Sequence, residues 1–237
     1  MTGTTPDVRR QARFAGLLYF LMTITAPIGL MFVPDALIVP GNATLTAEHL
    51  RHSETLFRIG IASELFHQAL AVFIVLALFR LFRPVSEALA WQMVILGALV
   101  SVPIMFVNVL NEIAALVLVS GVSFLSVFDR AQLDALAMLF LKVHDHGIDV
   151  ASIFWGLWLF PFGLLVFRSG FIPRFLGVLL IIAGVAYLGE AFLLVLAPDL
   201  GHVAGRYAIF LELCELPIVF WLLIWGARVR PAAPTAS

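Results

Sequence analysis

The chain has 237 residues, 62% of them hydrophobic and only 12% charged, where a typical soluble domain has about 45–50% and about 25%. Its apolar residues fall in runs of about twenty, the length that spans a bilayer core of about 30 Å, so the chain is an integral membrane protein with room for about six or seven crossings. A formal net charge of -1 without a dense Lys/Arg cluster excludes nucleic acid as a partner and leaves the lipid bilayer, while a single cysteine, Cys214, excludes an internal disulfide and a Cys-rich metal cage.

Residues 1–13 form a polar N-terminal tail carrying Arg9, Arg10 and Arg13. The following run, Phe14 to Val33, is too long for a signal-peptide core and reads as an uncleaved first span. Pro34 to Thr55 is a polar loop in which Thr46-Ala-Glu-His begins a short interfacial helix. The second span, Phe57 to Phe79, carries Glu64 and His67 and ends at Arg80, Arg83 and Pro84. A third begins near Ala88 and stays apolar through Pro103, Asn108, Asn111 and Glu112 to Val119, which is longer than one bilayer width. Either it is one long helix, or Asn108 to Glu112 is a turn and a further span follows.

The distribution of basic residues decides between these, because short cytoplasmic loops collect Lys and Arg. With six spans and both termini cytoplasmic, nine of the fourteen basic residues lie inside and five outside. A seventh span would place Arg168, Arg174, Arg228 and Arg230 outside and reverse the bias. Between the third and fourth spans, Asp129 to Val143 has the one-sided spacing of an amphipathic helix, placed at the outer interface. It leads through His144-Asp145-His146-Gly147, read as a solvated loop broken at Gly147, into a fourth span, Ile148 to Phe167. The fifth, Ile172 to Leu196, carries Glu190 late in its course, and the sixth, Tyr207 to Trp225, holds Glu212 and Glu215 before Pro217. Residues 231–237 are expected to be disordered. The fold class is therefore all-α and polytopic: a single membrane domain over 1–237, with six transmembrane helices plus an interfacial helix between the third and fourth.

Four stretches carry a resemblance: Arg13-Phe-Ala-Gly-Leu-Leu-Tyr, Ser53-Glu-Thr-Leu-Phe-Arg, Phe167-Arg-Ser-Gly-Phe-Ile-Pro-Arg-Phe-Leu-Gly-Val-Leu, and Glu215 followed six residues later by Trp221-Leu-Leu. Together the chain resembles the bacterial integral-membrane family known as domain of unknown function 4386. The resemblance implies a multi-helix bundle in a bacterial inner membrane, with acidic positions at Glu64, Glu112 and Glu215, and implies no activity.

A helix rises 1.5 Å per residue, which gives each polar group a depth: Glu64 about 10 Å and His67 about 15 Å below the outer end of span two, Glu112 about 36 Å from the inner start of span three, Glu190 about 27 Å up span five, Glu212 and Glu215 about 8 and 12 Å down span six. Carboxylates and imidazoles thus gather in the outer half, as a polar cup facing out. Glu64 and His67, three apart, are read as sharing a helix face. Glu64, Glu112 and Glu215 are the candidate catalytic acids, and Glu64, His67, His144, His146 and Glu215 the candidate metal ligands. Mixed imidazole and carboxylate ligation inside a helical bundle suits zinc or non-haem iron, acting on a lipid-like small molecule that enters sideways. Without metal, close carboxylates supply a general acid. The alternatives are a proton-coupled carrier and a non-catalytic membrane protein whose cup binds a lipid or a partner. The sequence holds no Gly-rich phosphate loop, no Gly-x-Ser-x-Gly elbow and no His-Glu-x-x-His zinc helix, and no cofactor-binding residue is assigned.

Overall fold

The computed structural model describes residues 5–228, and every described element is helical. The first span is α1 (Thr5–Pro27), a π-helical turn (Ile28–Phe32) and α2 (Val33–Leu37). The short α3 (Ala43–His52) precedes α4 (Glu54–Phe82). The third span is α5 (Glu87–Val94), a π-helical segment (Ile95–Val100) and α6 (Ser101–Val119). Then come α7 (Arg130–Ser169), α8 (Arg174–Leu196), and a sixth span made of α9 (Pro198–Glu212), a 3-10 turn (Leu213–Glu215) and α10 (Leu216–Ile224). Six of these helical runs are long and apolar enough to cross a membrane: Asp7–Leu37, Glu54–Phe82, Glu87–Val119, Arg130–Ser169, Arg174–Leu196 and Val203–Ile224.

Local chemistry sets several boundaries. The Asn42 side chain accepts a hydrogen bond from Leu45 N at 3.0 Å and caps α3. Asp129 and Gln132 form a reciprocal capping box at the start of α7, at 2.8 and 3.0 Å. Gly170, with φ of +70°, closes α7 in the left-handed conformation that favours glycine. Helix α1 already begins at Thr5, so most of the stretch expected as an N-terminal tail continues the first helix. The tail expected at 231–237 lies outside the described residues.

Two expectations are revised. The amphipathic stretch after Asp129 is not a separate interfacial helix, because α7 runs unbroken for 40 residues into the fourth span. Gly147 does not break it. A Cβ there would land on the Asn108 side chain, so the glycine is the gap that lets α6 lie against α7. The third span, by contrast, is one long helical run with no turn at Asn108 to Glu112, as the six-span reading expects.

Each span packs against its neighbours in sequence, and the sixth returns to the first: α1 on α4, α4 on α6, α6 on α7, α7 on α8, α8 on α9, and α10 on α1. Glycines allow the close α7–α8 approach; a Cβ on Gly163 would stand 2.7 Å from the Gly177 carbonyl oxygen. The sixth span changes partner along its length. Helix α9 leans on α8 and α10 leans on α1, with the 3-10 turn and Pro217 at the point of change.

The apolar interior is split in two. One core, around Leu70 to Phe82, Ala90 to Ala98, Trp158 to Val166 and Leu176 to Ala183, fills the end of the bundle away from α3. The other, with Leu37, Leu50, Phe57, Ile61, Val109, Leu116 and Leu141, fills the α3 end. Helix α3 is bolted onto the start of α7 by an ion pair between Arg51 and the buried Asp134.

Candidate functional site

Between the two cores lies a layer of buried polar side chains: Glu64, His67 and Gln68 from α4, Ser101, Asn108 and Glu112 from α6, and His144 from α7. Polar groups in this position are costly unless they pair with one another or take a ligand.

The tightest group is Glu64, Glu112 and His144. They are 2%, 3% and 4% exposed, and each offers a ligand atom within 4.8 Å of the other two. His144 Nε2 lies 3.2 Å from Glu64 Oε2 and 3.9 Å from Glu112 Oε2. Three helices deliver them. The π turn after α1 brings Gly29 against α4, where a Cβ would stand 2.6 Å from Glu64 Cγ, so that the carboxyl is pressed toward α6 and α7. Asn108 Nδ2 donates to the His144 carbonyl at 2.9 Å, and Asn111 Nδ2 donates back to Asn108 O at 3.0 Å, which fixes the α6–α7 register at the site. Glu64 Oε1 and Glu112 Oε2 are buried without a hydrogen-bond partner. Two carboxylates this close in a weakly screening interior repel each other, and a positive charge between them is what offsets that repulsion. A protonated imidazole, a proton held by one of the carboxyls, or a metal cation meets that need. One imidazole and two carboxylates are a ligand set seen for divalent metals in helical bundles, with coordination positions left over for water or substrate.

The polar groups are not an open cup. The α3-end core, including Leu50 of α3 and Leu141 of α7, covers the cluster. Sequence periodicity gives depth but does not reveal that a short amphipathic helix folds over the top.

The other candidates stand elsewhere. His67 is buried, yet it points into a cavity of about 310 Å³ that also has Tyr19, Gln68, Trp155, Trp158, Tyr187, Glu212 and Glu215 on its wall. Glu215 sits on that cavity and accepts a hydrogen bond from the Tyr19 hydroxyl. His146 is exposed and pairs with Asp149 at 3.2 Å, one turn along α7. The geometry therefore brings together Glu64, Glu112 and His144, and sets His67 and Glu215 on a neighbouring cavity. Tyr19, Gln68, Trp158 and Tyr187 were not among the sequence candidates, since aromatic and amide residues inside an apolar run look like packing.

Residues 14–226 match a family described only as a domain of unknown function, number 4386. An uncharacterised protein of Archaeoglobus fulgidus is 30% identical over 99 residues, covering 40% of this chain and 58% of that protein. The chain thus spans little more than half the length of this relative. No solved structure matches.

Proposed function

We propose for this chain, which belongs to the family described as domain of unknown function 4386, that it is a membrane-embedded enzyme whose divalent metal is held by Glu64, Glu112 and His144 and whose substrate is lipid-like. The observation that carries the reading is the convergence of three buried ligand atoms from three helices within 4.8 Å, with an oxygen on each carboxylate left unpaired. Solvation does not require such convergence, because none of the three is solvated. A metal bound there supplies Lewis acidity and activates water. In the neighbouring cavity, lined by His67 and Gln68 from the next turn of α4 but by none of the three ligands, we place the lipid-like substrate arriving from the bilayer.

The membrane location follows from the six apolar spans. We place both termini on the cytoplasmic side, and the α3 end outside, from the nine-to-five distribution of basic residues.

A second reading is favoured by the 3.2 Å contact between His144 and Glu64, which satisfies part of the cluster without metal. In it, the triad relays protons, as an acid/base catalyst or as the coupling site of a carrier. Elemental analysis of detergent-purified protein separates the two. Near-stoichiometric zinc, iron or manganese, lost in both Glu64→Ala and His144→Ala and raising the melting temperature on reloading, supports the metal enzyme. Protein that is metal-free and cannot be reloaded, with acid-dependent uptake of a ligand into liposomes, overturns it in favour of the carrier.

A further inference from the structure

The cavity next to the cluster has its own chemistry. It opens sideways: α1 and α9 diverge where the sixth span leans toward α8, and the wall residues Met31, Ile209 and Leu213 are 46%, 40% and 47% exposed on the lipid-facing surface. Its volume of about 310 Å³ is at the small end of the range of about 300–1,000 Å³ for ligand sites.

The wall is aromatic and acidic. Tyr19 lies against Trp158 at a ring-centroid distance of 6.1 Å, and Trp155 meets Tyr187 edge-on at 6.4 Å. Glu212 and Glu215 stand on the same wall, and Glu190 meets Glu212 from behind. No lysine or arginine is among the described residues that line the cavity. Among the described residues, none of the three acids forms an ion pair. Glu212 Oε1 is buried without a partner. Across from them, His67 Nδ1 and Gln68 Nε2 are also unpartnered, on side chains 8% and 2% exposed. An anion would be repelled here; Glu190 and Glu212, hydrogen-bonded to each other, share a proton and Glu215 accepts from the Tyr19 hydroxyl, and the negative charge that remains on this wall is what a cation would offset. A cation is attracted both by the carboxylates and by the faces of the tryptophan and tyrosine rings.

We propose that this cavity binds an amphiphilic organic cation, an amine or quaternary ammonium on an apolar chain, admitted sideways from the bilayer between α1 and α9. The head sits among Glu212, Glu215, Trp155 and Tyr187, and the chain follows the apolar wall toward the opening at Met31 and Leu213. This deepens the proposed function by naming a ligand class, and rests on it only in taking the bound molecule as substrate.

The test is equilibrium binding of decyltrimethylammonium to the full chain in lipid nanodiscs, read by tryptophan fluorescence, with empty nanodiscs correcting for partition. Decyldimethylamine N-oxide, whose similar head has no net charge, and decyl sulfate are the comparisons. The cation should bind saturably and about tenfold or more tighter than either comparison. Glu212→Gln and Glu215→Gln should each weaken it about tenfold, and Trp155→Leu about fivefold. Trp155→Leu keeps the proposal testable if a carboxylate variant fails to fold. Glu87→Gln, at the exposed start of α5 and away from both sites, should leave cation binding unchanged. Equal affinity for the N-oxide, or wild-type affinity in both Glu212→Gln and Trp155→Leu, overturns the proposal. Cation binding by a protein that holds no metal overturns the metal reading alone, and metal without cation binding overturns this inference alone.

Discussion

Replacing Arg51 by methionine should loosen the α3 cap that covers the buried cluster. Asp134 is 1% exposed and Arg51 21%, so their ion pair is almost wholly removed from water on the acid's side. Breaking a buried pair by deleting one partner costs about 3–5 kcal/mol, because the remaining charge is stranded. Arg51 is one-fifth open and its Nη1 has no partner, which puts Arg51→Met at the lower end, about 3 kcal/mol. Asp134 Oδ2 is unpartnered too, so the pair is imperfect and an apolar replacement of both residues should be well tolerated. The double variant Arg51→Met/Asp134→Leu should therefore return to within about 1 kcal/mol of wild type. The assay is reversible unfolding in mixed micelles, followed by circular dichroism for wild type, both singles and the double. An Arg51→Met variant within about 0.5 kcal/mol of wild type, or a double variant no more stable than the single, would refute the claim that the pair clamps α3 over the site.

Three further outcomes follow from the packing. Gly147→Ala should destabilise the protein by about 1–3 kcal/mol through its collision with Asn108, and the loss should shrink in an Asn108→Ala background, as thermal unfolding of the four combinations will report. Tyr19→Phe removes the hydrogen bond to Glu215 from a tyrosine that is 1% exposed, and should lower stability by about 1–3 kcal/mol in the same assay; an unchanged melting temperature would mean the contact is idle. In a Cys214→Ala background, an impermeant maleimide added to intact cells should label cysteines placed at Ser53 and at the exposed Asp199 but not at the exposed Pro84; labelling at Pro84 from outside would reverse the orientation.

Much of this architecture is written in the sequence, for a physical reason. A bilayer demands about twenty apolar residues per crossing, so span number and rough limits follow from counting, and carboxylates inside such runs stand out. Glu64 and Glu112 were visible on those grounds. Direction around a helix axis was harder to read. Glu64 and His67 are three residues apart, which leaves them about 60° apart around the helix, and at the wall of a ring of helices that is enough for Glu64 to face α6 and α7 while His67 faces the cavity. Gly147 misled because glycine has two uses. It reads as a break, but here it admits Asn108 and keeps His144 on a continuous helix, buried rather than in a loop. The partner change of the sixth span, which opens the cavity, depends on α8 and α1 competing for its two halves, and only the Pro217 signal hints at it.

The most direct test of the central claim is X-ray absorption at the metal edge of protein reconstituted in nanodiscs with zinc or iron. The metal should show a first shell of nitrogen and oxygen at about 2.0–2.2 Å with no sulfur, whose imidazole scattering disappears in His144→Ala and persists in His67→Ala and His146→Ala. A shell that keeps its imidazole signature in His144→Ala, or loses it in His67→Ala, would contradict the assignment of Glu64, Glu112 and His144 as the ligands.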